Sequence, residues 1–192
     1  MTSPPPWPGD IGPTLLTEGE IQQRVAELGT QISHDYAGKD LVVIGILKGV
    51  IFFMADLLRA ITIPVTVDFL AISRYGPTEQ THGVVKLTKD LSESLAGRHV
   101  LFIEDIIDSG FTTHFIMNTI SLRDPASLNM CILLNRSRRR IIDIDPAYVG
   151  FEIPDYYVVG YGLDFRECYR NLPYIIKFEP ERMPQDLQGE DE

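Results

Sequence analysis

One stretch of this chain contains only apolar residues and a glycine, and it constrains the fold more than any other feature. The sequence LVVIGIL occupies residues 41–47 and is rich in β-branched side chains. A strand that is apolar at every position has both faces buried, which is typical of a parallel sheet covered by helices on its two sides. This run therefore predicts an α/β fold with a buried central strand.

Helical and strand patterns alternate over most of the chain. The first helix is predicted at residues 17–36, where Thr17 and Glu20 have the spacing of a capping box. Apolar patterns predict further helices at 50–60 and 112–122, and strands at 65–72, 100–103, 128–134, 149–151, 156–159 and 174–178. This order implies right-handed crossovers, a largely parallel central sheet flanked by helices, and a ligand site at the carboxyl ends of its strands.

The length of 192 residues indicates one domain with short flanking segments. Residues 1–13 hold five of the 13 prolines and are predicted to form a flexible N-terminal arm. Residues 180–192 are predicted to form an acidic C-terminal tail. We therefore expect the domain itself at residues 14–179. Within it, the polar segment 73–90 is predicted to be a long loop or a weak hairpin.

Charge and hydropathy argue against several classes of partner. The formal net charge is −10, whereas a nucleic-acid binder needs a basic face. The arginine cluster at residues 136–140 is only weak evidence for such a face. The longest apolar stretch is interrupted by Lys48 and Asp56, so no membrane span is predicted. The N-terminus also lacks the apolar region of a signal peptide. We therefore expect a cytoplasmic protein.

The segment EDIIDSGFTT at residues 104–113 combines two kinds of ligand chemistry. Glu104, Asp105 and Asp108 follow an apolar run, and such carboxylates suit sugar hydroxyls or Mg²⁺. The Ser-Gly pair allows a tight turn that directs backbone N–H groups and hydroxyls to one point at a helix start, which is an anion site. A phosphorylated sugar carries both features. The alternative is a solvated acidic loop whose Ser and Thr residues only cap the helix.

This segment resembles the phosphoribosyl pyrophosphate (PRPP) motif of the type I phosphoribosyltransferase family, in the form of its hypoxanthine-guanine (6-oxopurine) branch. The resemblance implies that Glu104 and Asp105 address the ribose hydroxyls as catalytic groups. It implies that Asp108 lies near N7 of the purine as the candidate general base or acid. The same motif would wrap the 5′-phosphate and the ribose through Ile106, Ile107, Ser109, Gly110, Phe111 and Thr112.

Two further segments are similar to the pyrophosphate and lid regions of that family. The tripeptide LKG resembles its pyrophosphate loop, so Lys48 and Gly49 are implied pyrophosphate contacts, and the family often has a non-proline cis peptide here. Ser73, Arg74 and Tyr75 open the polar segment that resembles a lid, which closes over the site and excludes water. Arg74 stands where the family usually has a serine, and it could instead reach a pyrophosphate oxygen.

The implied contacts to the base come later in the chain. Counting back from GFEIPD at residues 150–155 places Arg136 where the family has a lysine that donates to the purine O6. An arginine can make the same donation, and its fork could reach a second acceptor. The resemblance further implies that Tyr157 stacks on the purine ring and that backbone groups of Val158 face position C2.

Two more residues complete the site that the resemblance implies. Asp164 would take Mg²⁺ held by pyrophosphate, and with Glu104 and Asp105 it makes up the expected metal ligands. Arg170 would clamp the pyrophosphate itself. The expected cofactor is therefore Mg²⁺.

The resemblance covers roughly residues 41–178 and implies both fold and function. The fold would be that of type I phosphoribosyltransferases, with a parallel central sheet, a small hood subdomain and a flexible lid loop. The reaction would transfer the phosphoribosyl group from PRPP to hypoxanthine or guanine in purine salvage, giving IMP or GMP and pyrophosphate. PRPP and a 6-oxopurine are then the partners, without nucleic acid or membrane, in a homodimer or homotetramer.

Two alternatives stay open at this point. One is a phosphoribosyltransferase selective for xanthine or another base, since Arg136 departs from the family pattern. The other is a PRPP-sensing regulator of the same fold with little catalysis. The acidic charge and the presence of Asp108 favour the enzyme over the regulator.

Overall fold

The computed structural model of the chain describes residues 11–75 and 84–182. Short 3-10 helices occur at Ser137–Arg139 and Pro180–Arg182. In chain order, the other elements of this part of the chain are β1 (Thr14–Leu16), α1 (Glu18–Asp35), β2 (Leu41–Leu47), α2 (Ile51–Ala60), β3 (Val65–Tyr75), β4 (Val84–Lys89), β5 (His99–Ile107), α3 (Phe111–Ser121), β6 (Ser127–Asn135), β7 (Tyr148–Glu152), β8 (Val158–Val159) and β9 (Ile175–Lys177). Helices connect β2 to β3 and β5 to β6, as the alternating patterns predicted.

Six strands form the central sheet in the order β4-β3-β2-β5-β6-β7. Strands β3, β2, β5, β6 and β7 run parallel, and β4 adds an antiparallel edge beside β3. Strand β2 lies inside the sheet, where Val43 pairs with Val67 on one side and with Leu101 on the other. The predicted largely parallel sheet is confirmed, and the position of β2 explains why its sequence is apolar throughout.

Helices cover both faces of the central sheet. On one face, α1 and α2 pack in a core that includes Val43 and Leu101. On the other face, α3 contributes Ile116 and Ile120 to a second core that includes Ile44. Neighbouring residues of β2 thus belong to opposite cores, because successive side chains of a strand point to opposite faces. Helix α1 begins with the predicted capping box between Thr17 and Glu20, which is confirmed.

A second sheet of three strands, in the order β1-β9-β8, joins the two ends of the described chain. Its core includes Ile11 and Val159, which are both 0% exposed. The carbonyl of Ile11 accepts a hydrogen bond from the N–H of Glu179 (2.9 Å). The predicted flexible arm is therefore wrong for residues 11–13, which pack against this sheet, and residues 1–10 lie outside the described part. This three-stranded sheet is the candidate for the small hood subdomain that the resemblance implies.

Strand β5 is longer than predicted, and the difference concerns the site. The strand continues to Ile107 instead of ending at residue 103, because it pairs with β6 as far as Asn135. Glu104 and Asp105 are therefore strand residues rather than loop residues. The extended pairing fixes the backbone of both acids on the sheet.

The segment after β3 forms the hairpin that was one of its two predicted alternatives. Strand β3 continues to Tyr75 and pairs antiparallel with β4. Residues 76–83, which belong to the expected lid, lie outside the described residues, as do the side chains of Arg74 and Tyr75. The prediction of a lid thus stays a prediction.

The remaining differences concern β8, which covers only Val158–Val159 instead of the predicted residues 156–159, and the chain ends. Strand β1 was not predicted, because three residues give no periodic pattern and their partner β9 is distant in sequence. Residues 180–182 of the expected tail form a 3-10 helix, and residues 183–192 lie outside the described part. Among the described helices, none has the length and apolar character needed to cross a membrane.

Two glycines of α1 test the packing between α1 and α2. A Cβ at Gly29 would lie 2.5 Å from the Cβ of Ala60, whereas a Cβ at Gly19 would have no atom within 4 Å. We predict that Gly29→Ala lowers the free energy of unfolding by about 1–3 kcal/mol through overpacking. Gly19→Ala should leave it unchanged or raise it by up to about 1 kcal/mol. Urea unfolding measures both, and equal effects would contradict the close helix contact.

Candidate active site

The carboxyl ends of the parallel strands border a cavity of about 620 Å³. Its walls come from β3, β5, the turn between β5 and α3, the loop after β6, and the segment around β8. The lining residues are Ile72, Glu104, Asp105, Ile106, Asp108, Ser109, Gly110, Thr112, Thr113, Arg136, Arg139, Tyr157, Val158, Leu163 and Asp164. The cavity therefore lies at the edge of the sheet where the topology predicts a ligand site.

Most residues singled out in the sequence meet at this cavity. The predicted site residues that line it are Glu104, Asp105, Ile106, Asp108, Ser109, Gly110, Thr112, Arg136, Tyr157, Val158 and Asp164. The predicted site residues that do not line it, among those whose side chains are described, are Lys48, Gly49, Ser73, Ile107, Phe111 and Arg170. Ile107 is fully buried in the core on the α3 side of the sheet, so its side chain does not reach a ligand in the cavity.

The turn between β5 and α3 presents backbone N–H groups at the start of a helix. Gly110 is the N-cap of α3 and has a φ of +89°, a left-handed conformation that favours glycine. The first N–H groups of a helix have no partner within the helix, so they bind anions well. Ser109 and Thr112 add hydroxyls to the same wall of the cavity. The turn is held in place because the carbonyl of Ser109 accepts hydrogen bonds from the N–H groups of Ile141 (3.0 Å) and Ile142 (3.2 Å).

Asp105 is half-buried, and desolvation of its carboxylate raises its pKa to about 6. Its Oδ1 accepts a hydrogen bond from the N–H of Ile106 (2.9 Å). Gly49 packs so close that a Cβ there would lie 1.8 Å from Oδ2 of Asp105. Gly49 is thus a neighbour of the acid pair although it does not line the cavity. A cation or hydroxyl donors in the cavity would stabilise the ionised form of Asp105.

Asp108 lies between two guanidinium groups. Its Oδ2 is 3.6 Å from Nη1 of Arg136 and 3.6 Å from Nη1 of Arg139. Its other oxygen, Oδ1, is buried and accepts no hydrogen bond from the described residues. A buried acceptor without a partner is costly, so this atom is suited to a donor from a ligand.

Arg136 is the most buried of the arginines at the cavity, with only 8% of its side chain exposed. Its Nη2 donates a hydrogen bond to the carbonyl of Tyr156, and its backbone N–H donates to the carbonyl of Ile107 (3.3 Å). These two contacts fix the side chain between the end of β5 and the segment before β8. The second nitrogen, Nη1, faces Asp108 and lies at the cavity.

An aromatic surface borders the cavity near β8. Tyr157 is 51% exposed, and its ring packs against Phe178 with ring centroids 5.3 Å apart and edge-on against Phe165. The hydroxyl of Tyr157 donates a hydrogen bond to the carbonyl of Asp164 (3.1 Å). These contacts hold the ring in one orientation at the cavity. Such an exposed aromatic face, with buried Val158 beside it, suits a planar base.

A network of charged side chains lies next to the cavity. The peptide bond between Leu47 and Lys48 is cis, as the resemblance implied. The Nζ of Lys48 is 3.0 Å from Oε2 of Glu167, and Nη2 of Arg170 is 3.3 Å from the same oxygen. Arg170 also binds Oδ1 of Asp164 through Nη2 (2.8 Å). The hydrogen bond from Lys48 and the charge of Arg170 lower the pKa of Glu167, and Asp164 connects both cations to the cavity wall.

The carboxylates expected to hold Mg²⁺ do not form a preassembled cluster. Within residues 11–75 and 84–182, no group of three or more His, Cys, Asp or Glu side chains is arranged to hold a metal ion. Asp164 instead binds Arg170 and accepts a hydrogen bond from the N–H of Glu167 (2.8 Å). A site in which Glu104, Asp105 and Asp164 jointly bind a metal without substrate is therefore not present in this part of the chain.

Four residues at the cavity were not assigned from the sequence. Arg139 belongs to the arginine cluster at residues 136–140, but the spacing alone did not indicate which arginines reach the site. Thr113 belongs to the segment at residues 104–113, so the sequence did indicate that it lies near the site. Nothing in the sequence indicated that Ile72 and Leu163 line the cavity, because many apolar residues of this chain face the cores instead.

Comparison with known proteins identifies relatives over most of the chain. Residues 14–166 match the family model described as phosphoribosyl transferase domain. The chain is 46% identical over 180 residues to a hypoxanthine-guanine phosphoribosyltransferase of Mycobacterium avium, covering 91% of this chain and 89% of that protein. It is 46% identical over 166 residues to a hypoxanthine phosphoribosyltransferase of Haemophilus influenzae, covering 85% and 93% respectively.

A solved structure shows the same architecture. The crystal structure of a hypoxanthine phosphoribosyltransferase from Staphylococcus aureus superposes with a TM-score of 0.86 at 46% identity, covering 90% of this chain and 94% of that one. The match over residues 14–166 includes the central sheet, the turn between β5 and α3, and every residue that lines the cavity. The chain therefore belongs to the phosphoribosyltransferase family.

Proposed function

We propose that this chain transfers the 5-phosphoribosyl group of PRPP to hypoxanthine or guanine, which gives IMP or GMP and pyrophosphate. The cavity at the carboxyl edge of the sheet carries this proposal. A helix start suited to a phosphate, carboxylates suited to a ribose and an aromatic ring suited to a purine line the same space. The names of the relatives from M. avium and H. influenzae support the same class of base.

The 5′-phosphate would bind at the turn formed by residues 109–113. The N–H groups at the start of α3 and the hydroxyls of Ser109 and Thr112 are suited to donate to its oxygens. The ribose attached to it would then lie beside Glu104 and Asp105, whose carboxylates can accept hydrogen bonds from its hydroxyls. The two acids would also stabilise the positive charge that builds on the ribose as its bond to pyrophosphate breaks.

Mg²⁺ would enter as part of the substrate, bound to the pyrophosphate of PRPP. Mg²⁺ in such sites keeps several waters and uses only one or two carboxylates beside phosphate oxygens, a number that Asp164 and Asp105 can supply. Asp164 at the cavity wall, with Asp105 nearby, would hold the ion, and the positive charge of the ion would offset the negative charge on the leaving pyrophosphate. Lys48 and Arg170 would bind the pyrophosphate oxygens.

The purine would bind between Tyr157 and the two arginines. Its ring would stack on Tyr157, and Nη1 of Arg136 would donate to its O6. Asp108 would take the proton from the ring nitrogen through Oδ1, the buried oxygen that accepts no hydrogen bond from the described residues. A homodimer or homotetramer and a cytoplasmic location stay predictions.

A pyrophosphate-release assay tests this proposal. PRPP and Mg²⁺ are supplied with hypoxanthine, guanine or xanthine in separate reactions. We expect release with hypoxanthine or guanine that requires both PRPP and the base. Release with xanthine alone would support the base-selective alternative instead. Absence of release with every base would contradict the enzyme and support a PRPP-sensing regulator.

The role of Asp108 predicts a defect in turnover. General acid–base catalysis contributes typically about 10²–10⁴-fold, so Asp108→Asn should lower kcat by at least about tenfold. The KM for PRPP should stay within about threefold, because the phosphate and pyrophosphate contacts remain. Steady-state kinetics measure both values. Asp143→Asn, with the same charge change at an exposed position off the cavity wall, is the control. Near-normal kcat in Asp108→Asn would refute the assignment.

The role of Arg136 predicts a change in base selectivity. Arg136→Ala removes the donor to O6 and should raise the KM for hypoxanthine and guanine by about tenfold or more. A factor of this size corresponds to the loss of one hydrogen bond from a charged group. Arg136→Lys keeps a donor and should retain the discrimination against bases without an oxygen at this position. Kinetics with hypoxanthine, guanine and adenine, which has an amino group instead of an oxygen at position 6, provide the measurement. An unchanged KM for hypoxanthine and guanine in Arg136→Ala would show that another group reads O6.

The charge network around Glu167 predicts tighter substrate binding when its carboxylate is removed. Oε2 of Glu167 contacts both Lys48 and Arg170, so it competes with pyrophosphate oxygens for these cations. Exposed ion pairs are worth roughly 0.2–1 kcal/mol, so Glu167→Gln should lower the KM for PRPP by about two- to fivefold. Glu93→Gln, an exposed change of equal charge, should leave it unaltered. A KM that rises in Glu167→Gln would mean that the carboxylate holds Lys48 and Arg170 in place rather than competing for them.

A further inference from the structure

We propose that Arg139, held by Asp155, is a positioning residue for Asp108 in the phosphoribosyl transfer. This inference rests on the proposed function, because it concerns how the candidate base is oriented. The guanidinium of Arg139 contacts two carboxylates: its Nε is 2.5 Å from Oδ1 of Asp155, and its Nη1 is 3.6 Å from Oδ2 of Asp108. Arg139 also lines the cavity itself.

The planar guanidinium of Arg139 can contact both carboxylates at once. Nε and Nη1 are separate donors in one rigid plane, so Asp155 can fix the plane through Nε while Nη1 orients Asp108. The hydrogen bond with Asp155 and the charge of Asp108 raise the pKa of Arg139, as expected for a cation between two anions. Asp155 thereby fixes the orientation of the Arg139 guanidinium relative to the carboxylate of Asp108.

Backbone hydrogen bonds connect the loop around Arg139 to the turn between β5 and α3. The N–H of Arg139 donates to the carbonyl of Arg136 (3.2 Å) within the 3-10 helix. Two residues further along, the N–H of Ile141 donates to the carbonyl of Ser109 (3.0 Å), which is adjacent to Asp108 in sequence. The loop that carries Arg139 is therefore anchored to the same turn that carries Asp108, and their separation is set by backbone hydrogen bonds.

Arg136 and Arg139 have different tasks in this arrangement. Arg136 is held by the carbonyl of Tyr156 and would donate to O6 of the base. Once Arg136 engages the base, Arg139 is the arginine at the cavity that continues to hold Oδ2 of Asp108. Oδ1, which accepts no hydrogen bond from the described residues, would then be the oxygen left to accept the proton of the purine nitrogen. Correct orientation of reacting groups contributes strongly to catalytic rates.

The neighbour Arg138 provides a matched control. Arg138 and Arg139 are adjacent and exposed, but only Arg139 lines the cavity. Arg139→Gln and Arg138→Gln therefore remove the same charge from the same loop. We expect Arg139→Gln to lower kcat roughly tenfold with the KM for PRPP within about twofold, and Arg138→Gln to leave both unchanged. Arg139→Lys, which keeps the charge near Asp108, should recover part of kcat.

Asp155 provides a second, independent test. Asp155→Asn leaves Arg139 in the chain but weakens its anchor, so kcat should fall by a smaller factor, about three- to fivefold. The double variant Arg139→Gln/Asp155→Asn should have a kcat no lower than that of Arg139→Gln, because both changes disrupt the same contact between Arg139 and Asp108. Thermal melting of each variant shows whether the fold is retained. If Arg139→Gln has a much lower melting temperature than the wild-type protein, the kcat values of Asp155→Asn and Arg139→Lys test the inference instead.

The possible outcomes separate this inference from the proposed function. Wild-type protein that releases no pyrophosphate with any base contradicts the proposed function itself. Active wild-type protein with normal kcat in Arg139→Gln and Asp155→Asn overturns only the positioning role. Multiplicative losses in the double variant, or a KM effect without a kcat effect, overturn it as well. A kcat loss confined to Arg139 and Asp155, partly recovered in Arg139→Lys, supports it.

Discussion

Parallel pairing of five strands is the constraint on which the site depends. Because β3, β2, β5, β6 and β7 run in one direction, their carboxyl ends lie at one edge of the sheet. The pairing of Ile107 with Asn135 places the turn between β5 and α3 beside the loop that carries Arg136 and Arg139, although nearly thirty residues separate the two strand ends in sequence. The helices that bury both faces of the sheet leave this edge open to a ligand.

Opposite charges at this edge compensate one another despite the net charge of −10. Asp108 lies between two arginines, and Glu167 lies between Lys48 and Arg170. A buried charge such as that of Arg136 is costly without a partner, and Asp108 provides one. These ion pairs also hold each group close to where a charged part of the substrate would bind. On the proposed function, substrate binding would exchange these charge contacts for contacts with PRPP and the base.

Local signals and family motifs were sufficient for most of this structure. The capping box at Thr17 and the apolar run at 41–47 depend on neighbouring residues only, so α1 and β2 were predicted well. The end of β5 was misjudged because its acids resemble a loop until the pairing with β6 is known. Strand β1 and the role of Arg139 depend on contacts between distant segments, which a single sequence does not encode in any periodic pattern.

The most direct test of the account is a crystal structure of the protein with a purine nucleoside 5′-monophosphate such as GMP. The account predicts that the 5′-phosphate binds the N–H groups of residues 109–113. The ribose should lie beside Glu104 and Asp105, and the purine on Tyr157. A nucleotide bound elsewhere, with the turn before α3 vacant and Asp108 directed away from the base, would contradict it.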